Sequence, residues 1–190
     1  MCGKNSQTAL IAWLAMALMA AAASRSPDRW SLDIASVLEG EWWRLASGHL
    51  VHLNRQHLLC DLLALGLTLC LCVQLEKDFR CVACTALLSA CSVSLVLVVV
   101  QPVDIYGGLS GITVGLLGFA AIRLLGSDTP LAGGVLIIAM LAKILLERMG
   151  LSASGVYPVW QAHCAGAASG VLVSAWSLQH KLRVTAGRTT

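Results

Sequence analysis

An all-α, polytopic membrane protein with six transmembrane helices is predicted by three observations. The chain is 57% hydrophobic and only 12% charged. Its mean hydropathy is +0.78, far outside the range of a soluble domain. Its apolar residues fall in six runs of roughly the length that crosses a hydrocarbon core as a helix, with charged clusters between them. The runs are 8–23, 57–75, 81–101, 109–125, 130–146 and 159–178. They use more than half of the 190 residues and are spread along the chain, so a single membrane-embedded domain, 1–190, is expected to carry any chemistry in its helices and loops.

The first run follows Lys4 and ends in Ala20-Ala21-Ala22-Ala23-Ser24, a pattern that also fits a cleavable secretory signal. The outer loop, 24–56, mixes Arg25, Asp28, Arg29, Asp33, Glu39, Glu41 and Arg44 with Trp30, Trp42 and Trp43. Tryptophan beside charge marks the membrane interface, so this loop is expected to lie in the outer headgroup layer. The second run contains His57 and Asp61, and the third begins at Cys81. The fourth carries Gly111, Gly115 and Gly118 after Gly107-Gly108, and the sixth carries Gly166 and Gly170. Small residues four apart let helix backbones approach closely, so runs four and six are expected to pack tightly. In the fifth run Lys143 is expected to snorkel along its helix, with Glu147 and Arg148 marking the helix end.

An inside N-terminus places Lys4, Lys77, Arg80, Arg123, Lys181, Arg183 and Arg188 on the cytoplasmic side, against Arg25, Arg29, Arg44, Arg55 and Arg148 outside. Basic residues accumulate in cytoplasmic loops, so both termini are assigned to the cytoplasm. Runs two, four and six then travel from outside to inside, and His57, Ser110 and His163 near their starts share one depth by the outer face. Ionisable groups in a membrane are costly and point to a functional site. Ser110 and His163 suggest a nucleophile and the base that takes its proton.

Cys60, Cys70, Cys72, Cys84, Cys91 and Cys164 lie within runs and are expected to pack as free thiols. Cys81 and Cys84 have metal-like spacing without a second ligand pair, and His49, His52, His57 and His163 lack a carboxylate shell, so no metal or cofactor is expected. The sequence has neither a phosphate-binding glycine loop nor a basic stripe, and nucleic acid is not an expected partner.

Gly108-Leu109-Ser110-Gly111 resembles the Gly-x-Ser-Gly motif of the rhomboid intramembrane serine proteases, and His163-x-x-Gly166-x-x-x-Gly170 resembles their sixth helix. Trp43-Arg44 is similar to the family's Trp-Arg loop motif, while His52 and His57 resemble its paired histidines at the start of helix two. These matches cover residues 41–170 in order. The resemblance implies a rhomboid-like six-helix bundle with Ser110 as nucleophile and His163 as general base. It implies a dyad with no third carboxylate, and an oxyanion held by the Ser110 N–H and His57, with Gly108 in the loop. Asp61 stands where many members have an asparagine, so it is expected either to be protonated or to face elsewhere, with Asn54 helping instead. Val114 stands where many have a tyrosine stacked on the imidazole, which leaves Tyr106 and Tyr157 as candidates to orient His163. His52 is expected to bond beneath the loop, Arg44 to pin it, and Glu76 resembles the glutamate that closes helix two.

Trp42-Trp43-Arg44 and His52-x-Asn54 look most like the rhombosortase branch. That likeness implies single-span membrane protein substrates with C-terminal Gly-Gly sorting tails, and a bacterial inner membrane location with the site toward the periplasm. A catalytically silent rhomboid-like binder or chaperone of transmembrane helices is the other reading.

Overall fold

The computed structural model describes residues 2–152 and 155–186. Arg188, counted above with the cytoplasmic basic residues, lies outside them. Six long helices dominate: α1 (Cys2–Ala23), α5 (Arg55–Leu75), α6 (Phe79–Val100), α7 (Ser110–Leu125), α8 (Pro130–Arg148) and α9 (Trp160–Ala186). Local chemistry sets several of their ends. Asn54 caps α5 by accepting from the His57 N–H, Asp78 caps α6 through the Arg80 N–H, and Pro130 opens α8 where its missing N–H costs nothing.

Four of the six, α1, α5, α6 and α8, are long and apolar enough to cross a membrane. Helix α7 has only 16 residues. At about 1.5 Å per residue it is roughly 24 Å long, shorter than the hydrocarbon core. Its position accounts for the difference, because most of its side chains are buried among the other helices rather than facing lipid. Helix α9 dilutes its apolar run with Ser169, Ser174 and Ser177, all buried against neighbouring helices.

The core forms around α7. Phe119, Leu116, Ile112 and the preceding Leu109 pack with Leu65, Leu69 and Cys72 of α5, Val82 of α6 and Ala20 of α1. Helix α1 is tied on by the Trp13 indole, which donates to the Leu62 carbonyl at 2.8 Å. At the opposite end of α7 from Ser110, Arg123 pairs with the fully buried Glu76 and also donates to Ser177 at 2.8 Å. This joins α7, the end of α5 and α9 by one cation.

Residues 24–54 are woven into the fold. They form α2 (Pro27–Trp30), β1 (Leu32–Asp33), α3 (Ile34–Leu38), α4 (Arg44–Ser47) and a 3-10 turn (Gly48–Leu50). Strand β1 pairs antiparallel with β2 (Ile105–Tyr106), matching Leu32 with Tyr106 and Asp33 with Ile105. Arg44 holds the segment from inside, donating from Nη1 to the carbonyls of Asp28 at 3.0 Å and Ser31 at 2.9 Å. Trp42 and Trp43 remain exposed, as an interfacial belt requires.

Candidate active site

Helices α7 and α9 meet along their glycines. A Cβ on Gly166 would stand 2.0 Å from the Gly111 carbonyl oxygen, and one on Gly170 1.8 Å from that of Gly115. Only glycine permits this approach, and it sets the separation of the two helices near their starts. There Ser110, the first residue of α7, and His163, on the first turn of α9, make a hydrogen bond between Oγ and Nε2 at 2.8 Å.

The loop that delivers Ser110 is fixed from several directions. Strand β2 fixes its start, the Gly108 N–H donates to the Gly48 carbonyl at 3.2 Å, and the Leu109 N–H donates to Asp61 Oδ2 at 2.9 Å. Gly108 has φ of +144°, and a Cβ there would lie 3.0 Å from the His57 ring, so both conformation and space require glycine. The Tyr106 hydroxyl donates to the Gly108 carbonyl at 3.2 Å, and complete burial pushes that phenol well above its usual range.

Asp61 faces the site, not away from it. Its Oδ2 accepts from Leu109 N–H, meets His52 Nε2 at 3.1 Å and lies 3.4 Å from His57 Nε2. His52 Nδ1 in turn meets the Leu50 carbonyl at 3.1 Å and must donate to it. Asp61 Oδ2 thus joins His52 to the backbone of the loop that carries Ser110. His57 stacks edge-on against His52 with ring centroids 4.9 Å apart, and its Nδ1 has no partner among the described residues. His52, His57 and Asp61 bring one ligand atom each within 4.8 Å. Since Asp61 Oδ2 is already engaged by Leu109 and His52, the cluster reads as a hydrogen-bond network.

Asn54 takes a different place from the one allowed by its role as alternative oxyanion donor. Its Oδ1 accepts the His57 N–H at 2.7 Å, and the residue lines a neighbouring hollow with His52 and Arg55. His163 is held by neither tyrosine. Its Nδ1 bonds to Glu147 of α8, whose other oxygen pairs with Lys143. The expectation of no third carboxylate is thus corrected: the end of α8 reaches the depth of Ser110 and turns Glu147 inward. Lys143 correspondingly pairs within its helix rather than reaching for an interface alone. The missed signal was the Lys143-x-x-x-Glu147 spacing, an acid and a base one turn apart in an apolar helix.

A cavity of about 260 Å³ opens over the serine. His57, Cys60, Asp61 and Ala64 of α5 form one wall, Lys143 and Glu147 of α8 another, and Thr113 and Val114 of α7 lie between. Leu53, Ile105, Val156 and Tyr157 form its rim. With Val114 in place of an aromatic side chain, the space beside the imidazole is part of this cavity.

A family model described as Rhomboid domain matches residues 39–180. The chain belongs to the rhomboid family. Among curated proteins none matches this rhomboid. Rhomboids are generally serine intramembrane proteases, and some members are inactive. The matched span begins within the segment between α1 and α5 and contains Ser110, His163, Glu147 and the glycine seam, but not α1.

His49 of this rhomboid is buried outside the long helices, with Nε2 3.1 Å from the Ala90 carbonyl and 3.0 Å from Ser94 Oγ. Desolvation lowers its pKa from 6.5 to about 4. Between those values the unfolded chain binds a proton that the folded protein refuses, so stability falls as pH drops from about 6.5 to about 4. The loss should be on the order of 3 kcal/mol. Thermal unfolding in detergent across this range should show a shallower fall for His49→Gln than for wild type. Equal slopes would refute the assignment.

Proposed function

We propose that this rhomboid is a serine-type intramembrane endopeptidase, rhombosortase-like, that cuts C-terminal Gly-Gly transmembrane sorting tails of exported proteins. The observation that carries the reading is the 2.8 Å bond from Ser110 Oγ to His163 Nε2, inside a cavity between apolar helices. In that geometry His163 accepts the Ser110 proton as Oγ attacks the scissile carbonyl, then returns it to the leaving amine; a water resolves the acyl-enzyme. The developing oxyanion is met by the Ser110 N–H and His57. Asp61 Oδ2 is engaged by the Leu109 N–H and by His52 beside that position.

Substrates with glycines at the top of a single hydrophobic helix suit this site, because glycine lowers the cost of leaving the helix to enter the cavity. We place the protein in a bacterial inner membrane with the site toward the periplasm and both termini in the cytoplasm. The basic residues Lys77 and Arg80, at the junction of α5 and α6, support that orientation.

A silent helix binder is favoured by one observation, that Asp61 takes the Leu109 N–H and crowds His57 Nε2. Co-reconstitution with a reporter bearing a Gly-Gly tail, one apolar helix and a basic end separates the two. Cleavage near the glycines, lost when both become leucine, is expected. Binding of the reporter without cleavage, together with failure of two fluorophosphonates of different size to label the folded protein, would establish the binder.

A further inference from the structure

We propose that Glu147 is a positioning residue for His163, making the site a Ser110, His163 and Glu147 triad. This rests on the reading of Ser110 and His163 as nucleophile and base. The carboxylate is buried, and both its oxygens are used, one on His163 Nδ1 and one on Lys143 Nζ. An acceptor on Nδ1 keeps the ring proton there and leaves the Nε2 lone pair facing Ser110 Oγ, the tautomer a general base needs. When Nε2 takes the serine proton, the ring becomes a cation with a carboxylate already in contact. Glu147 keeps its own charge throughout and transfers no proton.

The contact also sets ring orientation, the task left open by Val114. It links α8 to α9 across the cavity wall, because Glu147 lies on the last turn of α8 and His163 on the first turn of α9. Lys143 is less buried than Glu147, and its ammonium holds the second oxygen so that the carboxylate cannot turn away. An ion pair that merely closed α8 would need Lys143 alone.

The test reads the tautomer directly, by nitrogen NMR of detergent-solubilised protein carrying 15N-labelled histidine, with His163 assigned from His163→Gln. The wild type and Ser110→Ala should both show a His163 ring protonated at Nδ1 and bare at Nε2. Glu147→Gln should lose that pattern, and its fluorophosphonate labelling rate should fall by about 10²–10⁴-fold. Glu147→Asp should recover part of both. A wild-type ring protonated at Nε2 would overturn the proposal, and this needs no variant to fold. So would a folded Glu147→Gln with unchanged ring signals and wild-type labelling. Persistent labelling of Ser110→Ala would instead overturn the nucleophile reading and leave the ring result standing.

Discussion

Replacing Ser110 by alanine is expected to reduce fluorophosphonate labelling and tail cleavage to background, a loss of about 10⁴-fold or more. His163→Ala should lose as much, and the double variant should be no worse than either. In the proposed mechanism Oγ and Nε2, 2.8 Å apart, act as one unit, so removing either partner removes the proton transfer. Labelling rates with a small probe, measured beside melting temperatures to confirm folding, check this. Two separate losses that multiply in the double variant would mean that the residues work independently, and labelling that persists in Ser110→Ala would place the reactive group elsewhere.

Gly170→Ala is expected to be strongly damaging, because its added methyl makes the shortest contact among the described glycines. The new Cβ would lie 1.8 Å from the Gly115 carbonyl oxygen and 2.8 Å from the Phe119 nitrogen, both backbone atoms that cannot rotate away. Helix α9 must therefore move off α7. Overpacking usually costs about 1–3 kcal/mol, and a clash with helix backbone belongs at the upper end. Thermal melting in detergent should fall by roughly 5–10 °C. The movement also lengthens the contact of Ser110 with His163, so labelling should fall further than stability does. Gly134→Ala is the control: nothing lies within 4 Å of a Cβ there, and α8 should gain slightly from the better helix former. Equal behaviour of the two variants would show that the seam does not set the helix separation.

The bundle was legible in the sequence because apolar runs bounded by charge need no partner to be recognised. Ser110 and His163 were legible through their motifs and shared depth. Glu147 was not, since its contact depends on how α8 is rotated toward α9, and hydropathy carries no information about rotation in an all-apolar helix. The pairing of Leu32 with Tyr106 was hidden for a related reason. Two-residue strands are too short to show alternation, so the segment read as an interfacial loop when it in fact supports the serine from above. Asp61 read as a departure from the family pattern, and only its contacts with Leu109 and His52 explain how a carboxylate is accommodated there.

The segment before Ser110 is held by β1, Gly48, Asp61 and the Tyr106 hydroxyl at once. Its ordering was completed when the protein folded, so none of that entropy remains to be lost when a polypeptide arrives. Under the proposed activity the bending is then left to the incoming chain. The rate at which a target is cut should follow how readily its own helix frays, and two targets with the same residues at the severed bond should differ when one has a stiffer stem.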